Sequence, residues 1–244
     1  MLGCARKPKK PLYLAKMGRH AEAFAEARQT QRLEPLSIPM NPTSGLVLCF
    51  ARQYDRSIEE LQRVIEMDAN FAAAHSTLGL AYAYRKMCDP AIAEFRKASA
   101  LAGQSSELNL HLKALTAYSY AASGRTKQAR TFLNEIANQP AASPYALRMI
   151  HAQLGERNLA LDWLERAYRE RNYQMVWMKV DPALDPLRRT RRFQILLTRV
   201  GLALRRIRSC LGVCSRHVRT SPKLPNEGLA ARGDQELLML ASCR

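Results

Sequence analysis

Apolar and small residues recur along this chain in two registers at once. Within short stretches they fall at i, i+4 and i+7, as in Ser57, Leu61 and Val64, then in Ala91, Phe95 and Ala98. That spacing keeps all three side chains on one face of a 3.6-residue helix, so each stretch predicts an amphipathic helix. Between the two stretches the same positions return after 34 residues. A fixed step in this range marks a helix pair stacked on its own copies, because one pair cannot bury its apolar face alone.

The clearest unit holds Leu78, Gly79, Tyr82, Ala91, Phe95 and Ala98. Gly inside a helix costs about 1 kcal/mol relative to Ala, so Gly79 predicts a partner helix passing too close for a larger side chain. Ala91 and Ala98 keep the same contact short, while Leu78, Tyr82 and Phe95 fill the space between helices. Asp89 and Pro90 read as the N-cap and first residue of the second helix. These six positions, in this spacing, resemble the tetratricopeptide repeat family. The resemblance implies an all-α fold, a right-handed helical solenoid of antiparallel helix pairs. The preceding unit runs from about Ile38 to Phe71 with Gly45, Ile58, Leu61, Val64 and Ile65, and an earlier one keeps Gly18, Ala23, Ala27 and Pro35. Pro8 and Pro11 fall where the first helix of that earlier unit would run, so only its second helix is predicted. A fourth unit (Gly124, Ala129, Leu133, Ile136) follows after 38 residues, with Gly103, Ser105 and Ser106 turning the extra length. A fifth (Gly155, Ala160, Leu164, Ala167) follows after 31, its first helix starting at Ser143 and Pro144.

Four segments result: a basic, disordered 1–11, about four and a half units over 12–172, a closing segment at 173–202 and a disordered tail at 203–244. In the closing segment Asp181-Pro182 and Asp185-Pro186 each predict a short helical turn, and Phe193, Leu196, Leu197 and Val200 give a capping helix one apolar face. Residues 141–202 also resemble the end of tetratricopeptide regions appended to bacterial signalling proteins such as winged-helix regulators, protein kinases and nucleotide cyclases. The absent first helix is then what a C-terminal portion of such a protein would show, and self-association through that N-terminal end is expected.

Composition changes this picture in one respect. The net charge of +17 sits at the chain ends. Residues 1–20 carry six Lys or Arg and no acid, Arg188 to Arg199 carry five Arg, and 203–244 carry eight basic and three acidic residues. The repeat body is near neutral. The cysteines are scattered, and Cys49 and Cys88 occupy helical positions that suit free thiols in a reducing compartment. No stretch approaches the roughly 20 apolar residues of a membrane span, and the N-terminus lacks the apolar run of a secretory signal, so a cytoplasmic location is expected.

Candidate chemistry is sparse. The five histidines stand in different units, none at a catalytic spacing from a Cys, Ser or carboxylate, and no enzymatic activity or cofactor is expected. Cys210, Cys214 and His217 lack a fourth metal ligand. In the tetratricopeptide family the first helices line a concave groove that holds an extended peptide or a partner helix. Carrying those positions over gives Leu80 and Tyr84, His111 and Tyr118, then Tyr145 and Met149 as the binding set. Three tyrosines on a neutral surface suit a protein partner offering apolar side chains and hydrogen bonds. The alternative is that these rings pack between units. Family members that grip a C-terminal carboxylate use Lys, Asn and Arg, whereas Pro42, Leu46, Thr77, His111 and Leu115 stand at the corresponding places, so a free carboxylate is not the expected ligand. The competing expectation, nucleic-acid or polyanion binding, rests on Arg188, Arg189, Arg191 and Arg192, then Lys7, Lys9 and Lys10. Aromatic interleaving is missing there, and a solvated charged face is preferred.

Overall fold

Five turns of one design set the architecture. Gly18, Arg52, Lys86, Gly124 and Gly155 all take left-handed backbone angles, φ between +62° and +82°, at successive separations of 34, 34, 38 and 31 residues. In each turn the left-handed residue's N–H reaches the carbonyl three residues back, and the next N–H reaches five back, as in Gly124 to Ala121 and Arg125 to Tyr120. This double bond closes the orphan carbonyls at a helix end and sends the chain back along its own axis. Arg52 and Lys86 do the same work as the three glycines.

A computed structural model describes residues 11–33, 41–103, 106–139 and 142–203. Among them every regular element is helical. The helices are α1 (Pro11–Lys16), α2 (His20–Leu33), α3 (Asn41–Phe50), α4 (Tyr54–Met67), α5 (Ala72–Tyr84), α6 (Cys88–Ala102), α7 (Ser106–Ala122), α8 (Thr126–Ala137), α9 (Pro144–Gln153), α10 (Arg157–Arg169) and α11 (Arg191–Arg199). Two short 3-10 turns, Tyr173–Trp177 and Pro182–Leu187, lie between α10 and α11. None of these helices is long and apolar enough to cross a membrane.

Each helix from α1 to α10 packs on its neighbours in sequence, and the odd-numbered ones also touch each other in order, α1 to α3, α3 to α5, α5 to α7 and α7 to α9. The odd helices therefore form a contiguous row, here called the inner row, with each even helix packed against the odd ones beside it. The even helices bury the i, i+4, i+7 triplets: Ser57, Leu61 and Val64; Ala91, Phe95 and Ala98; Ala129, Leu133 and Ile136; Ala160, Leu164 and Ala167. A Cβ built on Gly79 would stand 2.6 Å from the Phe95 ring and 3.1 Å from the Ala91 carbonyl oxygen, and one on Gly45 2.6 Å from Leu61. The close helix approach expected at Gly79 is present. Ser57, where the pattern has Ala, satisfies its hydroxyl by donating to the Gly45 carbonyl at 2.8 Å.

Several local expectations are corrected. The first unit does have a first helix: Pro11 opens α1 at the position where its missing N–H removes no bond, and Leu14 and Ala15 are fully buried beside Ala23 and Val47. Helix α6 begins at Cys88 with Met87 as N-cap, and Asp89 pairs with Arg125 instead of capping. Ser143 does precede Pro144 at the start of α9, but its hydroxyl donates to Gln174 at 2.7 Å and not to its own helix. Only one of the two Asp-Pro pairs opens a turn; Asp181 caps Pro182–Leu187 by accepting from Ala183, while Pro186 lies inside that turn. Thr190 caps α11, whose Phe193, Leu196 and Leu197 are buried as expected. Residues 1–10 and the tail from 204, with Cys210, Cys214 and His217, lie outside the described residues.

Candidate functional site

At the centre of the odd-helix row a carboxylate is gripped from three sides. Asp181, 5% exposed, accepts from the Tyr84 hydroxyl on Oδ1 at 3.0 Å and from the Tyr145 hydroxyl on Oδ2 at 3.1 Å. Arg148, 0% exposed, donates from Nη2 to Oδ2, and the Ala183 amide donates to Oδ1 at 2.9 Å. The guanidinium carbon also lies 3.7 Å from the Tyr145 ring centroid, a cation–π contact inside the protein. Tyr118 meets Tyr84 edge to face with centroids 6.2 Å apart, and the Tyr54 ring lies 6.1 Å from that of Tyr84.

Helix geometry brings these groups together. Tyr145 and Arg148 are three residues apart on α9 and share a face, whereas Tyr84 comes from the last turn of α5 and Tyr118 from α7. Burial pushes the Tyr84, Tyr118 and Tyr145 hydroxyls above their ordinary pKa, with the Asp181 charge adding to it, so all three remain protonated donors. Burial works against the charge on Arg148, but Tyr145 and Asp181 outweigh it and raise its pKa. Two guanidinium nitrogens, Nε and Nη1, have no hydrogen-bond partner among the described residues. An unmet buried donor costs about 1–3 kcal/mol, and breaking a buried ion pair about 3–5 kcal/mol.

Asp181 arrives on a segment that touches four of the odd helices, α1, α3, α5 and α9. Trp177 stacks on Phe50 of α3 at 4.5 Å, and the Lys16 amine of α1 sits 4.6 Å from the Trp177 ring. Lys179 donates to the Met17 carbonyl at 2.9 Å. Arg52 makes a two-nitrogen pair with Asp185 at 2.7 and 2.8 Å. Burial alone would raise the Asp185 carboxyl, but hydrogen bonds from Arg52 and Arg188 prevail and hold it below its usual range. The segment expected to close the end of the array thus also lies across its first helices.

Of the six residues expected to form the site, Tyr84 and Tyr145 bond Asp181 and Tyr118 packs on Tyr84. Leu80 and Met149 pack in the core beside them, Met149 buried and Leu80 partly so. His111 stands two turns before Tyr118 on α7, and burial lowers its pKa. The tyrosines surround a buried ion pair and not an open neutral surface. Arg148 and Asp181 stand outside the expected binding set. The five places compared for a cationic clamp are indeed without Lys or Arg, but α9 supplies the cation from outside that set. A usable signal was present, since Arg148 follows Tyr145 by three residues on a helix otherwise made of Pro, Tyr, Ala, Leu, Met and Ile up to residue 150.

Elsewhere, several charged groups are committed internally. Arg188 donates to the Lys179 and Asp181 carbonyls at 2.8 and 3.0 Å, and Arg192 pairs with Asp162 and Glu165. Only Arg189 and Arg191 of the densest basic cluster stay exposed without such pairs in this region. The buried His75 has Nδ1 against Glu94 at 2.6 Å and Nε2 against the Ala69 carbonyl at 2.9 Å, which leaves neither nitrogen for a substrate. Among the described residues, no three His, Cys, Asp or Glu side chains are grouped to hold a metal ion. A scan against known protein families finds no match to this chain, and a search of curated proteins finds none either.

Proposed function

We propose that this chain is a non-catalytic protein-interaction module of the tetratricopeptide type, a right-handed solenoid whose first helices hold an extended peptide or partner helix. In this reading it serves as the C-terminal part of a bacterial signalling or transcription-regulatory protein in the cytoplasm. The carrying observation is that a segment of short turns, Trp177 to Arg188, already lies on the odd-helix face, with its aspartate gripped by Tyr84, Tyr145 and Arg148. A face that orients two hydroxyls and a guanidinium toward one side-chain carboxylate suits recognition of a chain segment that carries one.

Alanine substitution of the three tyrosines is a poor test, because emptying buried aromatic sites costs about 3–5 kcal/mol each. A photo-crosslinking amino acid placed singly at Leu80 or Thr77 of α5, with Met67 and Leu101 as outer controls, reports on the face without emptying it. Protein adducts formed in native bacterial lysate at the α5 positions and not at the controls are the expected result. Adducts confined to the outer positions would reject the groove.

A further inference from the structure

Building on the reading that the odd-helix face receives a partner segment, we infer that Trp177–Arg188 is a resident occupant in cis, displaced by an extended partner segment that carries a side-chain carboxylate between apolar residues. The groups that hold Asp181 lie far from it in sequence, 97 residues for Tyr84, 36 for Tyr145 and 33 for Arg148. They come from two helices, α5 and α9, and one short segment inserts a carboxylate between them.

The resident uses these groups incompletely. Arg148 is fully buried yet bonds Asp181 through Nη2 alone, leaving Nε and Nη1 without a partner among the described residues. A guanidinium normally takes a carboxylate through two parallel bonds. Asp181 is not free to turn into that geometry, because Oδ1 is also engaged in capping its own turn at Ala183. A carboxylate on a segment without that cap is free to engage the fork through two nitrogens. The flanking requirement follows from Met178, Leu184 and Leu187, all fully buried, whose places a displacing segment has to refill with apolar side chains.

The outer clasp of the resident is weak. Arg52 and Asp185 are 47% and 40% exposed, and the Lys179 bond to Met17 is exposed as well. A tethered segment nevertheless competes at an effective concentration on the order of millimolar. Apparent affinity for a partner therefore rises in proportion as the resident is loosened.

The probe is a fluorescein-labelled peptide of residues 176–188, titrated by anisotropy against the full chain. Binding to the Asp181→Asn chain is expected to be at least about tenfold tighter than to wild type, and about two- to fivefold tighter to the Arg52→Gln chain. The same peptide carrying Asp181→Asn is expected to lose roughly tenfold or more on each chain. Equal binding to all three chains, or equal binding of the two peptides, overturns the inference. Circular dichroism checks that the variants are folded; should Asp181→Asn unfold, the exposed Arg52→Gln variant and the two peptides decide. Inner-face crosslinks without peptide discrimination would leave the proposed function standing and remove only the cis occupant.

Discussion

At the scale of single residues, Gly79 separates two physical effects of opposite sign. Helix propensity alone makes Gly79→Ala stabilising by about 1 kcal/mol, whereas the Phe95 ring at 2.6 Å leaves no space for the added methyl. Overpacking prevails because the nearest obstacles include the Ala91 carbonyl, which cannot move without shifting α6. Gly79→Ala is expected to lower stability by about 1–3 kcal/mol, seen as a lower urea midpoint at unchanged slope. This feature was legible in the sequence, since a glycine amid Leu78, Leu80 and Tyr82 has no local reason to be there. Arg148 was not legible in the same way. An arginine is ordinarily a surface residue, and only the arrival of Asp181 makes burial of its charge tolerable.

At the scale of elements, the even helices are recognisable because their buried triplets repeat, while the odd helices are apolar over most of their surface and show no sharp face. The buried His75–Glu94 contact ties α5 to α6. Burial disfavours the Glu94 charge, but hydrogen bonds from Lys97 and His75 outweigh it and lower its pKa. An unfolded glutamate takes up its proton near pH 4.3, before the folded one does. The stabilisation is therefore complete above that range and is lost as the pH falls through the depressed folded value. Urea unfolding between pH 6 and 3 is expected to show a steeper fall in stability for the wild type than for Glu94→Gln. Equal slopes would mean that Glu94 carries no such linkage.

At the scale of the whole described chain, the contacts between α1 and α3 and the segment after α10 join residues as much as 162 apart in sequence. Their apolar part is the Trp177 stack on Phe50 under Lys16. Removing it in Trp177→Ala is expected to speed amide exchange in α1 and α3 by roughly tenfold, for a loss of about 1.4 kcal/mol, with α7 and α8 unchanged. A uniform acceleration through all helices would show instead that the stack supports global stability. The sequence by itself determined the helices from α2 onward, their pairing and the uneven step between turns, because those depend on side chains three to four residues apart and on one short turn repeated. Only the tertiary structure decided what covers the inner row. That depends on small rotations accumulated from unit to unit, which bring Asp181 to Arg148 and Trp177 to Phe50, and no local pattern records the sum of those rotations.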